Sequence, residues 1–221
     1  VLFRSFKVNR TYPAPKSLSK KARYDGADVH EALQECFYGK CYICETKNPL
    51  DINIEHFKPK GDDVERAFDW DNLYLSCSRC NNIKLSKYDN ILDCCKEKVW
   101  DRVKLLPGYS YKAKKITVTA LFNDIETQTT AELLEKVYNS DHTMSKKLTS
   151  AALRTQVVKT TQKLIKNINE YYEEDTPTEQ KKYLIEKMKM MIKRDAAFSS
   201  FCRWIIMEDA ELGPILEPFM D

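Results

Sequence analysis

The chain has 221 residues, 43% hydrophobic and 31% charged, a composition that supports one or two domains with a proper core and excludes an intrinsically disordered chain. No apolar run approaches the roughly 20 residues of a membrane span, and the opening VLFRSFKVNR lacks the apolar stretch of a secretory signal, so a cytoplasmic setting is expected. The net charge of +3 is uneven, with 22 Lys/Arg against 16 Asp/Glu in residues 1–115 and 14 against 17 in residues 116–221.

In chain order, residues 1–24 come first, with seven bases, no acid, and Phe3, Phe6, Tyr12, Pro13 and Pro15 among them. This reads as an extended basic arm lying over the body; its charge suits a polyanionic partner and a merely solvated arm about equally. Asp28 and Glu31 have capping-box spacing and predict a short helix with Val29, Leu33, Cys36 and Phe37 on one face, ended by Gly39. His30 would sit on its surface. Ile52-Asn53-Ile54 alternates as a strand and delivers Glu55-His56-Phe57, after which Pro59 and Gly61 break it. Residues 62–69 read as an acidic loop, residues 70–75 as a second extended segment, and residues 81–88 as a short helix.

Residues 115–120 form a β-branched alternation, predicted to be a strand. From about Thr130 the pattern is helical. Leu133, Leu134 and Val137 mark one helix; Leu148, Ala152, Thr155, Val158, Ile165 and Ile168 mark a longer one ending near Tyr172. Thr176-Pro177-Thr178-Glu179 combines an N-cap, a first-turn proline and a capping glutamate, ahead of Tyr183, Leu184, Met188, Met191 and Ile192. Phe198, Phe201, Trp204 and Ile205 continue an apolar face, and His142 falls in a loop or cap. The expected class is α+β, mainly α, with an arm at 1–24, a central domain at 25–110 and a helical region at 111–221.

Four of the eight cysteines form two Cys-x-x-Cys pairs, Cys41/Cys44 and Cys77/Cys80. Two matched pairs on one chain point to four thiolate ligands closing a tetrahedral structural Zn²⁺ site, in preference to a redox pair, which would stand alone on a βαβ unit. The 32 residues between Cys44 and Cys77 exceed the ~15–20 of an ordinary zinc ribbon, so the frame must carry an insert. Cys36 and Cys202 suit buried apolar positions; Cys94 and Cys95 receive no role.

Glu55 and His56 lie within that insert. As strand neighbours they would point to opposite faces, and only a bulge or strand end brings both to one site. A neutral imidazole is a good general base for water. A carboxylate with amide oxygens from Asn72, Asn81 or Asn82 suits a hard divalent cation.

The order EH (55–56), DNL (71–73) and CSRCNNIK (77–84) resembles the HNH endonucleases, and the opening GKCYICE (39–45) is similar to their zinc-bearing branch. The resemblance covers about a third of the chain and implies a ββα-metal core built on the four-cysteine zinc site. It implies that His56 is the general base, that Glu55 helps hold a catalytic Mg²⁺ (or Mn²⁺), and that Asn72 fixes the hairpin and orients His56. Asn81 stands where many members have the last histidine and would be the third metal-site residue, with Asn82 beside it as the other choice. Lys58, Lys60, Arg79, Lys84 and Lys87 would hold a nucleic-acid backbone, DNA or RNA. The longer pattern resembles the PtuB-type HNH nucleases of Septu and related retron anti-phage systems, which implies an ABC/SMC-like ATPase partner, PtuA, docked on the helical region. The competing function class is a non-catalytic zinc-ribbon module that binds nucleic acid or protein. The chain has no Gly-rich phosphate loop and only five glycines, so ATP hydrolysis by this chain itself is not expected.

Overall fold

The computed structural model of the chain describes residues 10–141 and 149–220. Helix α1 (Lys16–Ser19) is one turn long, and α2 (Ala27–Cys36) buries Val29, Leu33 and Cys36, the face its spacing predicts. The start of α2 differs from expectation. Gly26 takes the N-cap, and the Asp28 carboxylate accepts from the Ser17 N–H at 3.0 Å and the Ser17 hydroxyl at 2.6 Å, which ties α1 to α2. Gly39, at φ +66°, lets its own N–H reach back to the Gln34 carbonyl at 2.8 Å and ends the helix.

Strands β1 (Ile52–His56) and β2 (Leu73–Cys77) pair antiparallel, with Ile52 opposite Cys77 and His56 opposite Leu73. Between them, the expected acidic loop contains a one-turn helix, α3 (Val64–Ala67), because Asp63 accepts from the Arg66 N–H at 3.0 Å and caps it. Helix α4 (Ser78–Lys84) begins directly after β2, ahead of the expected Asn81 start, and stops at Leu85, where φ is +45°. Two antiparallel strands and a helix therefore follow in the expected order.

Helix α5 (Val99–Arg102) leads into β3 (Val103–Leu106), which pairs antiparallel with β4 (Thr117–Ala120). β4 is the expected strand; β3 is too short and too unpatterned to announce itself. Helix α6 (Ile125–Asn139) starts earlier than Thr130 because Asp124 accepts from the Thr127 N–H at 3.0 Å. Then come α7 (Ser150–Tyr172), α8 (Thr178–Ile192), α9 (Ser199–Met207) and α10 (Leu212–Leu216). The buried face of α7 includes Leu153, Val157, Val158, Thr161 and Leu164; of the residues expected on it, Val158 is buried and Ile168 half-buried, while Ala152 and Ile165 are exposed. At α8 the N-cap is Pro177, and the Thr176 hydroxyl donates to the Glu170 carbonyl at 2.6 Å instead of capping. His142 and Leu148 lie outside the described residues.

The helical region is not packed apart from the hairpin. One hydrophobic cluster joins Leu33 of α2, Leu73 and Leu75 of β2, Val103, Val137 of α6, Val157 of α7 and Phe201 of α9. A second joins Leu164, Leu184, Met188, Ile206 and Leu216 around Trp100. Leu184, Met188, Ile192 and Phe201 of the helical region are buried in the chain's own core. The first Cys-x-x-Cys turn is clamped by helices. The Tyr138 hydroxyl donates to the Cys44 carbonyl at 2.9 Å, and the Glu45 carboxylate accepts from the Ser199 hydroxyl and the Ser200 N–H at 3.1 Å each. Among the described residues, no helix is long and apolar enough to cross a membrane.

Candidate active site on a four-cysteine frame

The four frame cysteines come from three places. The turn holding Cys41 and Cys44 is closed by the Cys41 N–H on the Thr46 carbonyl (3.0 Å) and the Glu45 N–H on the Cys41 carbonyl (2.9 Å), with Glu45 at φ +56°. Cys77 ends β2, and Cys80 sits in the first turn of α4. All four Sγ atoms lie within 4.8 Å of one another, and none of the residues is more than 2% exposed. A tetrahedral ion with Zn–S bonds of ~2.3 Å needs sulfurs about 3.8 Å apart. The Cys44 and Cys77 sulfurs are 3.8 Å apart, so the donor set fits zinc in both chemistry and spacing.

His56 is the last residue of β1. Its Nε2 lies 3.0 Å from the Ala67 carbonyl, and its ring centroid is 4.9 Å from that of Tyr24. A carbonyl only accepts, so Nε2 carries the proton and Nδ1 keeps its lone pair in the neutral ring. Half-burial pushes the imidazole below its ordinary pKa, and the charges of Lys60 and Lys84 act the same way against the Ala67 contact. The ring is therefore a neutral base at physiological pH.

Asn72 is 6% exposed and spans the loop that follows His56. Its Oδ1 accepts from the Lys58 N–H at 2.7 Å, while its Nδ2 donates to the Lys58 carbonyl at 2.9 Å and the Arg66 carbonyl at 3.4 Å. Arg66 precedes Ala67, whose carbonyl holds the imidazole. Asn72 thus fixes both ends of the segment that orients His56.

Glu55 turns the other way. It lies opposite Tyr74 in the register, is 5% exposed, accepts from the Tyr42 hydroxyl, and has the Lys84 Nζ 3.5 Å from its carboxylate. Burial raises its pKa to about 7, against the pull of Lys84 and Tyr42. Lys84 is fully buried and also donates to the His56 carbonyl at 3.2 Å and the Phe57 carbonyl at 2.9 Å. No bulge interrupts the register at this end of β1, so Glu55 and His56 stay on opposite faces. Asn81 and Asn82 are both half-exposed on α4. A carboxylate with amide oxygens has the right chemistry for Mg²⁺ or Mn²⁺. The arrangement does not fit it, because the Lys84 ammonium stands at the Glu55 carboxylate where such a cation would bind.

The expected backbone-binding bases divide. Lys58, Lys60 and Lys87 are exposed. Arg79 is not: it is 2% exposed and donates to the Val137 carbonyl at 3.0 and 3.1 Å and to the Ser140 carbonyl at 2.9 Å, stitching α4 to the end of α6. Arg79 and Lys84 are internal braces with no face to offer a phosphate. Sequence reasoning also missed three residues that build the site. Tyr42, inside the first knuckle, holds Glu55. Tyr24 packs on His56 and carries the Lys60 ammonium 5.1 Å from its own centroid. Arg10 donates to the Trp70 and Leu73 carbonyls at 2.6 and 2.7 Å and fastens the arm to the hairpin. Tyr42 had a signal, a polar-tipped aromatic between two buried cysteines; Tyr24 and Arg10, distant in sequence, had none.

Residues 41–87 match the family model described as HNH endonuclease, a match that spans both knuckles, the hairpin and α4 and supports the HNH family for this segment. No curated protein and no solved structure matches the chain.

Proposed function

We propose that the chain is a zinc-framed HNH nuclease that hydrolyses phosphodiester bonds in nucleic acid, with His56 as general base. The observation that carries this reading is the imidazole at the end of β1, its Nε2 tied to Ala67 and its loop locked by Asn72. In the reaction, Nδ1 takes a proton from water as the water oxygen bonds to phosphorus and the bond to the leaving sugar oxygen breaks, the departing oxygen taking its proton from solvent. The imidazolium formed keeps its Nε2–H on the Ala67 carbonyl. Lys58 and Lys60, on the strand-end side, hold backbone phosphates without reading bases. Because Glu55 is engaged by Lys84, the step rests on His56 and the Asn72-held loop.

The pattern resembling PtuB-type nucleases supports a role as nuclease effector of an anti-phage complex with an ABC/SMC-like ATPase of the PtuA kind. With the main apolar faces of α8 and α9 buried, a docking surface would use side chains such as Tyr183 and Met190, 56% and 59% exposed on α8. The buried, lysine-paired Glu55 favours a second reading, a zinc-stabilised binding module without catalysis.

The test incubates purified chain with supercoiled plasmid and with total tRNA, in Mg²⁺, Mn²⁺ or EDTA, with and without the ATPase. Cleavage in either nucleic-acid lane supports the nuclease, and activity confined to the ATPase series supports a gated effector. Binding without cleavage in every series, ATPase included, selects the binding module.

A further inference from the structure

The adjacent Cys94 and Cys95, to which spacing alone gave no role, converge with Asp93 in the turn before α5. One ligand atom from each of the three side chains lies within 4.8 Å of the other two, the same limit that the frame cysteines meet. The Lys96 and Glu97 N–H groups close the turn on the Asp93 carbonyl at 2.9 and 2.8 Å. Asp93 is held in place: one carboxylate oxygen accepts from the Tyr74 hydroxyl at 2.6 Å and from the Cys95 N–H at 2.8 Å. Its other oxygen lies 3.3 Å from the Nζ of Lys96, whose side chain is 79% exposed. Cys94 is buried and Cys95 half-buried.

Two thiols and an oriented carboxylate are a donor set for a soft or borderline divalent cation, and sulfur excludes Mg²⁺ and Ca²⁺ as natural occupants. A phenol that holds the carboxylate ligand is the kind of outer partner that positions metal ligands. Charge also balances. Two thiolates and a carboxylate supply three negative charges, against two from a divalent ion and one from Lys96 beside Asp93. We propose that Asp93, Cys94 and Cys95 bind a second thiophilic divalent cation of the zinc class, with water completing the coordination. The ion would sit behind the hairpin: Tyr74 pairs with Glu55 in the register and stacks on Phe57 at 4.7 Å, so the site braces the buried face of β1 and β2. It shares no ligand with the Cys41/Cys44/Cys77/Cys80 frame and does not depend on the nuclease reading.

The experiment counts metal on the full chain. After saturation with Zn²⁺ and removal of excess, the expected content is about two ions per chain for wild type and about one for the Cys94→Ser/Cys95→Ser and Asp93→Asn variants. Exchange into Cd²⁺ counts thiolates through sulfur-to-metal charge-transfer absorbance, which should fall by about a third in the double variant, from six thiolates to four. One zinc per wild-type chain with a four-thiolate cadmium spectrum overturns the proposal, as does an unchanged count in a folded double variant. If the double variant does not fold, the wild-type count and spectrum decide alone.

Discussion

The Nζ of Lys84 lies 3.5 Å from the Glu55 carboxylate and 2.9 Å from the Phe57 carbonyl, so one buried ammonium links α4 to the inner face and the end of β1. A buried pair of this kind is costly to assemble and more costly to break from one side. It also gives the fold a pH signature. Glu55 has its pKa raised to about 7 from an ordinary 4.5. Between those values the folded chain holds a proton that the unfolded chain has released, so the stability from this group falls as pH rises through the window and levels off above it. Against a Glu55→Gln/Lys84→Met reference, which has neither titrating group, wild-type stability by denaturant unfolding should decline by up to about 3 kcal/mol from pH 4.5 to 7. A difference that stays flat or rises with pH would show that the carboxyl is not buried as described.

Asn72→Ala removes three hydrogen bonds around Lys58 and Arg66. Stability should drop by about 2–3 kcal/mol, with zinc content unchanged. Cleavage should fall further than the stability loss explains, because the Ala67 carbonyl that orients His56 is released. The check compares turnover with the folded fraction at one temperature. Turnover that tracks the folded fraction alone would remove Asn72 from the positioning role.

The two groups of bases should separate cleanly. Arg79→Met strips donors from the buried Val137 carbonyl and the half-buried Ser140 carbonyl and should cost roughly 2–3 kcal/mol of stability. Lys58→Ala, Lys60→Ala and Lys87→Ala should each change stability by less than about 0.5 kcal/mol. Where one of them contacts a phosphate, it should weaken nucleic-acid binding and reduce the salt slope by about one. Fluorescence anisotropy across a salt series measures this, and slopes unchanged from wild type in all three variants would place the nucleic acid elsewhere.

Zinc removal should loosen more than the knuckles. Cys44 is held by Tyr138 of α6, and Glu45 by Ser199 and Ser200 of α9, so a strong chelator should lower the melting temperature of the helical region together with the hairpin. Near-ultraviolet signals of Trp100 and Trp204, which pack 6.2 Å apart in the second core cluster, report on it. A chelator that melts the hairpin and leaves the tryptophan signal untouched would contradict the coupling.

Much of the site was legible because its logic is local. The paired Cys-x-x-Cys spacing, the strand ending in His56 and the return at Leu73 are short-range patterns that tertiary packing had no reason to override. What escaped was decided by contacts between distant residues. Asp28 has capping-box spacing, yet Ser17 claims its carboxylate. Arg79 and Lys84 carry charges that belong on a surface by composition, and only the meeting of α4 with β1 and α6 gives them buried carbonyls to satisfy. The α7 stripe was read correctly at Val158 and missed at Ala152 and Ile165, which are apolar yet exposed. For Glu55, strand alternation was the better guide: it separates the side chain from His56, as the structure finds.

The most direct test of the account is the cleavage rate of His56→Ala beside wild type, on the substrate that wild type cuts, at matched zinc content and folded fraction. The expected result is a loss of about 10²–10⁴-fold, and for wild type an acid limb with a midpoint below 6.5, since the half-buried imidazole must be neutral to accept the proton. A variant that cuts as fast as wild type would contradict the assignment of His56 and leave the four-cysteine frame as a scaffold for some other work.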